Sequence, residues 1–462
     1  MTEMLDVANV DAFAQQLHGS VTRPDDSDYD EVRTLYNAMI DKRPALIARC
    51  ADRDDVVAAV KFGREQGLDI AIRCGGHNGP GLGSVNDGLV IDLSGLKTVT
   101  VDPDSRTAKV GGGCLVGDVD AATHEHGMAA PAGIISTTGA GGLMLGGGIG
   151  HLTRKAGLSI DNILGAEVVL ADGSVVNANE NENDDLYWAL RGGGGNFGVV
   201  TQLTLRLHPV SMVVAGPMFW SIDKSADVLK WWREFILDAP EDLNGFFAFA
   251  TVPPAPPFPE ELHLQKVAGI VWNWTGPEEG AADALAEARS QPGIVLDGIQ
   301  PMPFPALNSA FDEVYPPGDQ WFWRADFVES IPDEAVEKHA EFGEKMPTWK
   351  CTMHMYPIDG AAHRIGPTET AWGYRNANWG AVYAGVDPDR ANVDAISAWS
   401  KEYYEALHPS SAGGAYVNMM MEEGQDRVEA AYGENYARLA QIKAKYDPDN
   451  LFHVNQNIRP AS

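Results

Sequence analysis

The stretch Ile72-Arg-Cys-Gly-Gly-His-Asn-Gly-Pro-Gly-Leu-Gly-Ser-Val-Asn-Asp-Gly-Leu-Val-Ile-Asp92 decides the fold. Two apolar runs flank it, Leu68–Ile72 and Leu89–Leu93, and both read as strands bounded by turn residues. Adjacent Gly75 and Gly76 let backbone N–H groups approach a ligand closely, and such a turn forms a concave anion site. Arg73 adds a forked positive charge suited to phosphate. His77 follows, where a ring nitrogen reaches whatever the loop cradles. Taken alone, the stretch is better read as a glycine-rich turn with a surface histidine.

Further glycine-rich segments remove that ambiguity. Ser136-Thr-Thr-Gly-Ala-Gly-Gly-Leu-Met-Leu-Gly-Gly-Gly-Ile-Gly150 runs into His151–Asn162, and Trp188-Ala-Leu-Arg-Gly-Gly-Gly-Gly-Asn-Phe-Gly-Val-Val-Thr201 follows later. Three such loops, each beside an apolar segment, imply one long ligand threaded between backbone turns. Gly193-x-Gly195-x-x-Gly198 matches a dinucleotide fingerprint as a string, which makes a nicotinamide-dependent dehydrogenase the natural competitor. That fingerprint requires strand, loop, helix in this order. Here a helix-like Trp188-Ala-Leu-Arg precedes the glycines and a strand-like Val199–Leu207 follows, so the nicotinamide reading is rejected.

Together the loops resemble the flavin-binding domain of the vanillyl-alcohol oxidase superfamily, and within it the bacterial branch of the berberine-bridge-enzyme-like family. The resemblance runs from about Arg43 to Val210 and resumes at Tyr432–Ile458. It implies an α+β, two-domain, PCMH-type FAD-binding fold whose substrate domain is a sheet flanked by helices. It also implies an FAD-linked oxidoreductase that takes hydride from a small organic substrate and passes electrons to oxygen. By the same resemblance His77, after R-C-G-G, carries FAD through one covalent 8α-histidyl bond. Some relatives add a cysteinyl bond from the second loop; Ile135 stands in that place, so a single bond is expected, with Cys74 and Cys114 as buried apolar residues. The cofactor contacts implied are Arg73, Cys74, Gly75, Gly76, His77, Asn78, Gly83 and Ser84 from the first loop. The second loop adds Thr137, Gly139, Gly142, Gly146, Gly147 and Gly150; the third adds Gly198, Val199 and Val200. Asn455 and Asn457, in the tail His453-Val-Asn-Gln-Asn-Ile458, match positions that approach the flavin ring, where donors would hold developing negative charge.

Tyr416 is the candidate base. In Gly414-Ala-Tyr-Val-Asn-Met419 an extended chain would turn Tyr416, Asn418 and Met420 to one face, and relatives place a Y-x-N segment beside the flavin. A phenol with a pKa of about 10 needs lowering for that task; the competing reading is a tyrosine that packs on the flavin with a structural hydroxyl. Tyr374 matches another substrate-facing position. His124-x-His126 has no third ligand nearby and sits at a helix end, so no metal site is expected.

Composition bounds the rest. The chain has 462 residues, 49 glycines and a net charge of −31. Its length suits two or three domains, here read as 1–211 for FAD, 212–414 for substrate, and 415–462 returning to the first. Strong acidity argues against nucleic acid and anionic membranes as partners, and it suits solubility in salt. Four scattered cysteines form no C-x-x-C pair, which predicts free thiols. The acidic start Met-Thr-Glu-Met-Leu-Asp lacks signal-peptide character, and a cytoplasmic protein is expected. The remaining alternative class is a flavin-carrying protein without catalysis.

The apolar patterning predicts a helix over 5–18, a β-α-β opening from Ala45–Ala48 through a helix at Arg53–Gln66 to Leu68–Ile72, and strands at Leu89–Leu93, Lys97–Val101, Thr107–Gly111, Ile163–Leu170, Ser174–Ala178 and Val199–Leu207. Further helices are expected at Cys114–His126, Ser225–Leu237, Ala281–Gln291 and Tyr432–Lys445, and a strand at Gln265–Trp274. Val252–Glu261 reads as a stiff proline-rich connector, and tryptophan and phenylalanine become frequent beyond Pro209.

Overall fold

The computed structural model describes residues 5–462. After a helix at Val7–Ala14, four strands build the first sheet: β1 (Ser20–Thr22), β2 (Leu46–Arg49), β3 (Ile70–Arg73) and β4 (Leu89–Asp92), in the order β1-β2-β4-β3. β4 pairs in parallel with both β2 and β3, which a crossover helix makes possible. That helix is Arg53–Glu65, capped by Asp52, whose carboxylate accepts from Asp54 and Asp55 N–H. Val56, Ala59 and Val60 on it are fully buried. Gly63, where an apolar side chain was missing from the stripe, leaves room for Ile70 and Leu89 to pack against the helix.

β5 (Val99–Asp102), β6 (Thr107–Gly111), β7 (Ile163–Val169), β8 (Val175–Asn179) and β9 (Val199–Arg206) form a second, antiparallel sheet ordered β5-β6-β9-β7-β8. The third glycine loop joins the helix Asp184–Leu190 to β9. Helix, loop, strand is the order that excluded the nicotinamide fingerprint.

The remaining strands are β10 (Met212–Ser221), β11 (Leu243–Thr251), β12 (Lys266–Trp274), β13 (Ile294–Asp297), β14 (Gln300–Pro303), β15 (Gln320–Val328), β16 (Thr352–Pro357) and β17 (Trp379–Asp387). They build one antiparallel sheet, β13-β10-β12-β11-β16-β17-β15, with β14 also on β10. Helices Ser225–Asp238, Asp333–Glu344 and Val393–Leu407 cover one face, burying Trp232, Trp272, Tyr383 and Tyr403. The other face turns towards the first two sheets, and one apolar core runs across from Val110, Val168 and Leu203 to Phe246, Trp321 and Tyr356.

Buried ion pairs lock this junction. Arg154, fully buried, donates to Asp359 at 2.9 Å, and Arg375 meets Asp161 at 2.7 Å. Each guanidinium also donates to backbone carbonyls, the added bonding that a buried charge requires. The segment His151–Asn162 thus clamps the two halves together, a role that its residue pattern did not reveal.

Several element boundaries differ from the expectation. The proline-rich connector Val252–Glu261 joins β11 to β12 as the loop of a hairpin. The helix expected over Ala281–Gln291 splits into Ala281–Ala284 and Ala286–Ser290. Gly433, at φ 53°, ends the helix Gln425–Tyr432 before Tyr436–Tyr446 begins. Gly414–Met419 is not an extended strand: Val417–Met419 forms a single 3-10 turn, because Met419 N–H closes onto the Tyr416 carbonyl.

Candidate active site

A cavity of about 370 Å³ opens between the glycine loops and the large sheet. Arg73, Cys74, Gly75, Gly76, His77, Asn78, Gly83, Gly139, Gly142, Gly198, Val200, Tyr416 and Asn455 all line it. These residues come from five separate stretches of the chain, and the fold brings them to one space.

Close backbone contact explains the glycines. A Cβ on Gly75 would overlap the backbone of Gly139, and a Cβ on Gly139 would overlap Gly75 N. The first two loops therefore touch backbone to backbone. Gly76 adopts φ 69°, the left-handed region that glycine enters without strain. Among the described residues, the N–H groups of Gly76, His77 and Asn78 donate to no protein group. Gly142, Gly194 and Gly195 line the cavity with open space where a Cβ would stand. A run of free N–H groups beside bare glycine surface fits the pyrophosphate and ring of a dinucleotide.

His77 stacks on Tyr36, with centroids 3.8 Å apart and planes 19° apart. Its Nε2 lies 3.1 Å from Thr137 Oγ1, and Nδ1 lies 3.4 Å from Thr138 Oγ1. Burial pushes its pKa down to about 4, so the ring is neutral at pH 7 and keeps a nucleophilic lone pair. Ile135 also lines the cavity, with no nucleophile to offer. Cys114 is buried with its thiol directed at the Leu96 and Thr98 carbonyls, and burial pushes it up to about 11. Cys74 faces the cavity but donates to Cys114 O at 3.3 Å, and burial pushes it up to about 12.

Other expectations require correction. Arg73 is not a free phosphate anchor: it donates to Asp92 at 2.6 Å and to Val32 O at 2.7 Å, so its charge is neutralised where β3 meets β4. Gly146, Gly147 and Gly150 lie off the cavity; a Cβ on them would strike Asn418, Trp372 and Ala132 O respectively, so they admit neighbouring chain. Val199 packs into the core behind the first sheet, and Ser84 is fully buried outside the cavity. Thr137 is not a lining residue and acts through His77. Asn457 stays outside, whereas Asn455 lines the cavity with Nδ2 donating to Phe452 O and Oδ1 unpartnered. Its free atom is thus an acceptor, not the donor expected.

Tyr416 is placed against the cavity, but its oxygen accepts from Gly148 N–H at 2.8 Å and from Asn418 Nδ2 at 2.7 Å. Burial outweighs both donors and pushes its pKa up to about 12, away from the range a base needs. Tyr374 stacks on Phe327 at 4.8 Å and donates to Ala430 O at 2.6 Å, outside the cavity. Its hydroxyl is committed to the backbone, so it is removed from the substrate-facing set.

The sequence reading missed the opposite wall. Tyr36, Phe311, Tyr315, Trp321, Trp323, His354 and Tyr356 line it, mostly from β15 and β16. The signal present was the alternation Thr352-Met-His354-Met-Tyr356, polar or aromatic on one face and methionine on the other. Period-two patterning identifies a half-buried strand but not what its inner face meets.

Fold and pocket together describe a two-part flavoprotein that brings a nucleotide cradle against an aromatic chamber. Residues 44–179 match the FAD binding domain family, and 415–459 match the berberine and berberine-like family. The chain belongs to the berberine-bridge-enzyme-like FAD-linked oxidoreductases of the vanillyl-alcohol oxidase superfamily. It is 31% identical to an FAD-linked oxidoreductase of Dictyostelium discoideum, over 98% of this chain and 97% of the relative. It is 30% identical to (R)-6-hydroxynicotine oxidase of Paenarthrobacter nicotinovorans, over 96% and 97% of the two chains. The crystal structure of 6-hydroxy-D-nicotine oxidase from Arthrobacter nicotinovorans superposes with a TM-score of 0.86 at 27% identity, over 96% of this chain and 98% of that one. The PCMH-type α+β fold and the FAD-linked oxidoreductase activity expected from the sequence both hold.

Proposed function

We propose that this enzyme is an oxidase that holds FAD by a single covalent bond from His77, oxidises a small organic substrate in the aromatic chamber, and hands the electrons to molecular oxygen in the cytoplasm. The neutral imidazole of His77, steadied by Tyr36 and Thr137, is the observation that carries the covalent reading. The oxidase reading is supported by relatives of that name, including a 6-hydroxynicotine oxidase and a xylooligosaccharide oxidase. The cytoplasmic reading is supported by four free cysteines.

When bound, FAD supplies the two-electron acceptor; the protein supplies binding, orientation and proton handling. The N–H groups of Gly76–Asn78 hold the anionic part, and Gly142, Gly194 and Gly195 leave room for close approach. His77 supplies the nitrogen that tethers the cofactor, and Ile135 gives no second tether. Tyr416 is a positioning residue: it joins the Gly148 backbone to Asn418 and fixes the wall beneath the substrate. The apolar lining around Trp321 and Phe311 excludes water from that space.

Acid precipitation of purified protein tests this directly. The pellet should remain yellow, and a peptide containing His77 should carry the flavin mass. His77→Ala should bind FAD through the loops yet release all of it on precipitation. Flavin wholly in the wild-type supernatant, or flavin mass on a Cys74 or Cys114 peptide, would overturn the single-tether reading.

A further inference from the structure

The wall opposite the glycine loops contains a titratable pair that the cofactor cradle does not use. On β16, His354 and Tyr356 face the cavity while Met353 and Met355 enter the core behind. Both polar side chains are buried, and His354 Nδ1 lies 2.6 Å from Tyr356 Oη. Among the described residues, His354 Nε2 has no hydrogen-bond partner. Its neighbours across the sheet are Ala248 on β11 and Val382 on β17, and Phe246 and Phe311 pack on its ring. The titratable groups near the pair are Tyr315 and Tyr416, both phenols.

We propose that His354, held by Tyr356, is the proton acceptor in the oxidation of an uncharged, hydroxyl-bearing substrate; this rests on the flavin-oxidase reading above. With Nδ1–H donating to Tyr356, the Nε2 lone pair is left for the substrate. Among the described residues, Arg73 is the only formally charged side chain on the cavity wall, and Asp92 neutralises it. A cationic amine would therefore meet no carboxylate there, whereas a neutral hydroxyl compound meets aromatic faces.

The step balances without a further reactant. The substrate carbon gives its hydrogen as hydride to oxidised flavin, its O–H proton passes to His354 Nε2, and the C–O bond becomes C=O. His354 then returns the proton to water after product leaves. Burial keeps the imidazole pKa down at about 3, so the ring is neutral at pH 7 with its lone pair free, and its basicity stays low until charge arrives nearby. The negative charge that arrives on the cofactor side raises its proton affinity as the proton moves.

Nitrogen NMR of histidine-labelled holoenzyme, with His354→Gln giving the assignment, tests the atom-level claim. The expected result is an unprotonated Nε2 and a protonated Nδ1, with the midpoint of His354 rising by about one pH unit or more after dithionite reduction. A proton on Nε2, or a midpoint that reduction leaves unmoved, overturns the proposal. Flavin content of the same sample separates the two readings: absence of flavin defeats the oxidase reading, whereas bound flavin with an unresponsive His354 defeats only this inference. With xylobiose and benzyl alcohol as probes, His354→Gln should slow anaerobic flavin bleaching about 100-fold or more and Tyr416→Phe less than about tenfold. Equal losses in the two variants overturn the assignment.

Discussion

The Tyr416 oxygen carries two accepted hydrogen bonds, so removing it separates positioning from proton transfer. Tyr416→Phe leaves the Gly148 N–H and an Asn418 N–H without a partner, and each such buried orphan costs about 1–3 kcal/mol. The melting temperature should fall by several degrees while covalent flavin content stays at the wild-type level. A kinetic loss on the general-base scale of about 100-fold or more, with unchanged melting temperature, would restore Tyr416 as the base. The Y-V-N spacing was legible, and Asn418 does meet Tyr416. The hydroxyl's role was not, since it depends on Gly148, whose contact with it spans 268 positions of the chain.

At the scale of elements, the C-terminal helix Tyr436–Tyr446 governs the third glycine loop. Lys443, fully buried, donates to Asp447 at 2.6 Å, to Phe452 O at 2.9 Å and to Asn196 O at 2.5 Å. Asn196 in turn donates to Gly193 O and Gln456 O. Breaking a buried pair from one side strands a charge, at a cost of about 3–5 kcal/mol. Lys443→Met should therefore lower both melting temperature and flavin content sharply, and Lys443→Met with Asp447→Leu should recover part of the stability. A single variant that retains full flavin and stability would refute the link between this helix and the loop. Loop composition marked Gly193–Gly198 as a binding turn, but the lysine that holds it arrives from the far end of the chain, beyond any local pattern.

At the scale of the whole molecule, five histidines among the described residues are held neutral by burial. The pKa of His77 and His208 is pushed down to about 4, and that of His151, His339 and His354 to about 3. An unfolded histidine titrates near pH 6.5. Their contribution is therefore present above about pH 6.5 and is lost as pH falls towards about 4, because the unfolded chain takes up protons first. Each ring costs up to about 1.4 kcal/mol per pH unit in that window. Asp120, pushed up to about 7 by burial, opposes one of these protons. The melting temperature should be nearly level from pH 7 to 8 and drop steeply below pH 6; a level profile down to pH 4 would contradict the buried-neutral assignment.

Sequence by itself determined the FAD-binding class, the reversed order around Gly193–Gly198, the β-α-β opening and the place of His77 in its loop. The FAD-binding class and the place of His77 follow from the family resemblance of the glycine loops; the reversed order and the β-α-β opening rest on local spacing, turn residues and apolar period, which neighbouring residues encode. Tertiary structure alone decided that Asp92 neutralises Arg73, that Tyr374 turns away, and that His354 and Tyr356 stand opposite the glycine loops. Those outcomes depend on which side chains from distant strands share one low-dielectric space. Long-range packing sets that, and in it both the pKa of a group and its free hydrogen-bonding atoms are fixed.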